Sequence, residues 1–130
     1  MDQTTLVGPD LSAGHEALAL LDAAQVKHIV ALFMLSPEYG DWKFVVSSPS
    51  LDQTSSLKAH EQVHKIWRGR FIDSLPLMIV LRTKDPFIRD LRKLLHNVRP
   101  GAHYLRIGGQ TIGNRFVSEG IVIRLPGIID

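Results

Sequence analysis

Cysteine is absent from all 130 residues. That excludes disulfide staples, thiolate metal ligands and cysteine nucleophiles, and it suits a reducing, cytoplasmic compartment. Long apolar runs are also missing. The longest, Ile29 to Leu35 ("IVALFML"), falls far short of the roughly 20 residues a helix needs to cross a bilayer, so no membrane contact is expected. The opening "MDQTTLVGPD" has neither the basic stretch nor the apolar centre of a secretory leader. There is no internal repeat, low-complexity tract or dividing linker. Charge of one sign is scarce as well: a net charge of +2 permits an anionic partner without demanding one.

What remains is an ordinary globular composition, 45% apolar and 22% charged. The length suits one domain, able to bury roughly two-thirds of the surface its unfolded chain exposes. Residues 1–9 are polar and contain Gly8-Pro9, which predicts a flexible arm. Residues 10–130 are read as the single domain.

Asp10 or Ser12 is placed to cap a first helix running to about Ala24, with Leu11, Ala17, Leu18, Leu21 and Ala24 at helical spacing. Val26 to Leu35 is almost continuously apolar and rich in β-branched residues, the pattern of a strand covered on both faces. "SPEYGD" supplies turn residues. Trp42 to Ser47 then alternates, with Trp42, Phe44 and Val46 on one side, so a hairpin is expected. Thr54, Ser55 and Ser56 offer a cap for a second helix ending at Arg68-Gly69. Leu75 to Arg82 ("LPLMIVLR") reads as a second central strand. Asp85-Pro86 opens a third helix, with a stripe of Phe87, Leu91, Leu94, Leu95 and Val98 and a stop at Pro100-Gly101. Tyr104–Ile112 and Phe116–Leu125 read as two strands turning at Gly113-Asn114, a pair favoured where a hairpin needs positive φ. The order α-β-β-α-β-α-β-β predicts an α/β domain: one mixed sheet of about five strands with three helices packed on it.

This layout, with a strand running into "TKDPFIRDLRKLL" and a last strand "GIVIRL", resembles a group of small, uncharacterised bacterial α/β proteins. The resemblance covers residues 26 to 125. It implies the fold and carries over no functional residue.

One short pattern points to chemistry. "LKAHEQVHKIW" holds His60-Glu61-Gln62-Val63-His64, which fits H-E-x-x-H. On a helix, two histidines one turn apart can aim ring nitrogens at one Zn2+, and the adjacent glutamate can act as general base toward a metal-bound water. A third ligand has to arrive from elsewhere; Glu119, Asp85, His96 and His103 are the candidates. Against this, Ala59, Val63, Ile66 and Trp67 form the apolar stripe, with His60 and His64 on its shoulder. Lys58 and Lys65 flank the motif, and Trp67 stands where the longer zinc-protease pattern has glycine. The balance favours two histidines covering the edge of a core.

Three further patterns carry less. Arg89, Arg92, Lys93 and His96, with Arg99 beyond, form a basic stripe opposite the apolar side of the third helix. It is either a solvated face or a surface for phosphates. Arg68, Arg70, Arg82 and Lys84 are candidate extensions of it. Asp41-Trp42-Lys43 matches half of a metal-dependent nuclease signature but needs a second carboxylate, and the nearest upstream acid, Asp22, falls on the first helix. "RIGGQTIGNRF" does not lead from a strand into a helix, so it is no phosphate loop. Its glycines fit a bulge or a close approach of backbone. The serines of "SSPSLDQTSS" read as loop and cap.

The sequence therefore favours a cytoplasmic interaction or accessory module, non-catalytic and without a prosthetic group. Its expected partner is another protein or a second copy of itself as a homodimer, met through a sheet edge. Two alternatives stand beside this: a Zn2+ hydrolase with His60 and His64 as ligands and Glu61 as base, and a nucleic-acid binder using Arg89, Arg92, Lys93 and Arg99.

Overall fold

The apolar runs lie side by side in a mixed five-stranded sheet, in the order Leu77–Val80, Trp42–Ser47, Val30–Leu35, Glu119–Arg124 and Leu105–Ile107. The computed structural model describes residues 9–36, 38, 40–71, 74–97 and 104–126. Of the expected N-terminal arm only Pro9 falls among them. The elements are α1 (Leu11–Ala23), β1 (Val30–Leu35), β2 (Trp42–Ser47), a 3-10 turn (Pro49–Leu51), α2 (Ser56–Trp67), β3 (Leu77–Val80), α3 (Pro86–Leu95), β4 (Leu105–Ile107), β5 (Gln110–Ile112), β6 (Arg115–Val117) and β7 (Glu119–Arg124). No helix among the described residues is long and apolar enough to cross a membrane.

Each helix starts where a short polar side chain can serve the unpaired first-turn amides. Asp10 accepts from the Ala13 amide at 3.0 Å, Ser55 from Lys58 at 3.3 Å, and Asp85 from Phe87 at 2.9 Å with Pro86 next in line. Helix α2 ends at Arg68 and Gly69, both in the left-handed region.

The sheet alternates as strand geometry requires. Ala31, Phe33, Phe44, Val46, Met78, Val80, Ile121 and Ile123 face α1 and α2. Val30, Leu32, Val45 and Val122 face α3. Three layers result, with helix packed on each face of the sheet. β1 runs antiparallel to β2 and β7, while β2 and β3, joined through α2, run parallel.

Four details depart from expectation. First, β1 begins at Val30 rather than Val26. Gln25 and His28 both take positive φ, and the Lys27 amide donates to Ser50 Oγ at 3.0 Å, so Val26 and Ile29 are buried from a loop. Second, β3 is an edge strand, not a central one. Met78 and Val80 pack in the layer under α1 and α2, whereas Leu77, on the other side of the strand, is 69% exposed. Third, on α3 the buried stripe includes Ile88, whereas Leu94 is 45% exposed; Val98 and Pro100-Gly101 lie outside the described residues.

Fourth, the terminal hairpin bends. β4 pairs with β7 and β5 with β6, and the register runs unbroken across the gap between the two pairs. One long hairpin therefore folds over at Gly108-Gly109 and Ser118. A Cβ on Gly108 would lie 2.6 Å from the Ser118 carbonyl oxygen, and Gly109 has φ +70°. Beyond the bend the ribbon tip seats on α3, where a Cβ on Gly113 would meet the Pro86 carbonyl at 2.5 Å. Ile112 and Val117 join the apolar layer under α3.

Candidate functional site

Helix α2 lies against β3 with Ala59, Val63 and Trp67 buried. Trp67 sends its indole N–H to the Ala17 carbonyl of α1 at 3.1 Å and stacks edge-on near Phe71. This places His60 beside the free edge of β3. There the Val80 amide, pointing away from β2, donates to His60 Nε2 at 3.1 Å. Because Nε2 accepts, the ring proton sits on Nδ1, which donates to the Ser56 carbonyl at 2.8 Å. Both nitrogens are engaged within the chain, and a metal at either one has to displace a hydrogen bond.

His64 is exposed, its ring edge-on to Trp67 at 5.9 Å between centroids. Glu61 is exposed. The candidate third ligands do not converge on this helix. Glu119 lies on β7, three strands away from β3 in the sheet order, and pairs with Arg106 at 3.3 Å. Asp85 caps α3. His96 ends α3 on the opposite layer, and His103 lies outside the described residues. Among the described residues, no group of three or more His, Asp or Glu side chains is close enough to hold a metal ion.

The nuclease half-motif is likewise not completed. Lys43 Nζ pairs with Asp41 itself at 3.3 Å. Asp22 grips Arg124 through two contacts of 3.1 Å, and Arg124 opposes Ala31, at the far end of β1 from the Leu35 that opposes Trp42. The serines act as expected: Ser48 bridges the Lys27 carbonyl and the Ser50 amide, and Ser55 caps α2.

The basic stripe of α3 is brought together. Phe87, Ile88, Leu91 and Leu95 are buried, which turns Arg89, Arg92, Lys93 and His96 outward, all exposed. Ion pairs among the described residues join Lys43 to Asp41, Arg106 to Glu119 and Arg124 to Asp22. The α3 cations take part in none of them. Arg99 lies outside the described residues. Arg68 and Arg70 end α2 on the other layer and do not extend this face.

No family model, curated protein or solved structure matches this chain.

Two features escaped the sequence reading. Phe116, 51% exposed, stands on the outer side of the ribbon whose tip rests on the start of α3. An alternation of Ile112 with Phe116 across a Gly-Asn turn is a signal only once the bend is known. The second is a set of ties between the loops leaving β2 and β3. Arg82 donates to the Asp52 and Thr54 carbonyls at 2.7 and 2.8 Å. The Thr83 amide donates to Asp52 Oδ1 at 3.1 Å, and its hydroxyl to Oδ2. Partners about thirty residues apart leave no local spacing to read.

Proposed function

We propose that this chain is a non-catalytic nucleic-acid-binding protein that lays the outward face of α3 along a phosphate backbone. The observation that carries this reading is the row Arg89, Arg92 and Lys93: exposed, on one side of one helix and without an acidic partner among the described residues. Ten residues of helix span about 15 Å, the axial length of about four phosphates on one strand. Phe116 on the neighbouring ribbon adds an aromatic face of the kind on which an unpaired base stacks. The engagement of both His60 nitrogens supports binding over hydrolysis.

The test is a titration with a labelled oligonucleotide at several salt concentrations. Three or four phosphate contacts predict that affinity falls roughly 40- to 150-fold between about 50 and 200 mM salt. Replacing Arg89 and Arg92 together by alanine should lower the logarithmic salt slope by about 2. No binding at low salt, or binding indifferent to salt, rejects the proposal.

A second reading, protein contact through a sheet edge, is favoured by one observation: Leu77 is 69% exposed on edge strand β3. A second copy of the chain is the partner it proposes.

A further inference from the structure

The carboxyl ends of β2 and β3 lie next to each other, and the chain leaves them in opposite directions. From β2 it passes to α2 on one face; from β3 it passes to α3 on the other. Parallel neighbours whose connections part in this way open a crevice beyond their ends, where open α/β sheets bind ligands. Here the crevice is a cavity of about 380 Å³, in the lower part of the range for small-molecule sites.

Its floor is apolar: Leu51, Ala59, Val80 and Leu81. Its rim is polar and cationic, with Thr54, Ser56, Arg82 and Lys84. Asp85 also reaches the rim, but its carboxylate is bonded to the Phe87 amide at 2.9 Å. The walls are held before any ligand arrives, because Arg82 ties the β2–α2 loop through two carbonyls and Asp52 holds Thr83. Lys84 is exposed and has no acidic partner among the described residues. An ammonium and two hydroxyls around an apolar floor suit a ligand that is charged at one end and hydrocarbon at the other.

We propose that this cavity binds a small organic phosphate, its anionic end on Lys84 with the Thr54 and Ser56 hydroxyls, and its carbon body over Leu51, Val80 and Leu81. The site shares no residue with the Arg89, Arg92 and Lys93 row and stands independently of nucleic-acid binding.

Phenyl phosphate is the probe, with inorganic phosphate and phenol as its two halves, followed by amide chemical shifts of the full chain. Shifts should centre on Thr54 to Ala59 and Leu81 to Asp85. Phenyl phosphate should bind at least about tenfold more tightly than either half, and Lys84→Glu should weaken it by about tenfold or more, the size of one charge-assisted contact. Ser56→Glu should do the same in a folded protein, since a carboxylate suits the first turn of α2. The double variant Arg92→Ala/Lys93→Ala should leave phenyl phosphate binding unchanged while weakening the oligonucleotide. The site is overturned if millimolar phenyl phosphate moves none of these amides, if the ring adds nothing over inorganic phosphate, if neither glutamate variant weakens binding, or if the Arg92/Lys93 pair abolishes it.

Discussion

His60 occupies a position where a strand edge meets a helix, and its chemistry there is that of a neutral ring with one donor and one acceptor. Among the described residues the Val80 amide has no other acceptor, so the imidazole does for β3 what a further strand would do. Truncating the ring strands a half-buried amide and frees a helical carbonyl. His60→Ala is expected to cost about 1–3 kcal/mol, read as a lower denaturant midpoint at unchanged slope. Amide exchange should then accelerate at Val80 but not at Leu81, whose N–H is held by the Val46 carbonyl at 2.9 Å; equal acceleration at both would reject a local role. The same geometry predicts that protein purified without chelator carries far less than one zinc per chain. Near-equimolar zinc that disappears with His60→Ala would reinstate the hydrolase reading. The helical wheel showed the shoulder position of His60. The donor waiting there, the Val80 amide, could not be read, because it lies on a strand twenty positions away.

Among the elements, capping and periodicity made the helices legible: Asp10, Ser55 and Asp85 each serve an amide within their own first turn. The turn at Gly113-Asn114 was legible for the same local reason. The bend was not, since Gly108 and Gly109 in a strand permit a kink without saying which way the tip will fall. Docking of the tip on α3 makes Gly113 different from other turn glycines. Gly40 has φ +70° with open space around its missing Cβ, whereas Gly113, at φ +61°, faces the Pro86 backbone at 2.5 Å. Gly40→Ala should therefore cost about 1 kcal/mol in backbone strain alone. Gly113→Ala should cost clearly more, because a backbone contact has to open and the ribbon must lift from α3. Denaturant unfolding of the two variants makes the comparison, and equal losses would mean that the tip is not seated on the helix.

For the whole molecule, the decisive placement is which helix covers which sheet face. Amphipathic stripes were readable helix by helix, but the layer each joins follows from connection handedness and strand order, and these are not written in any one segment. Layering puts the α3 cations, which join no ion pair among the described residues, on the face opposite α1 and α2. On β3, His60 closes the Val80 end, so an incoming strand can pair only near Leu77 and Met78. So short an edge buries far less than the roughly 1,200 Å² that stable interfaces need. Self-association through β3 should therefore be weak and concentration-dependent in light scattering. Leu77→Lys should abolish it by placing a charge on the pairing edge, while leaving the oligonucleotide salt slope unaltered. Conversely, Arg89→Ala/Arg92→Ala should flatten the salt slope and leave self-association as it was. A chain that stays monomeric at every concentration removes the edge reading. A Leu77→Lys protein that loses oligonucleotide binding would show instead that the phosphate backbone is held by a dimer, with the α3 faces of two copies acting as one surface.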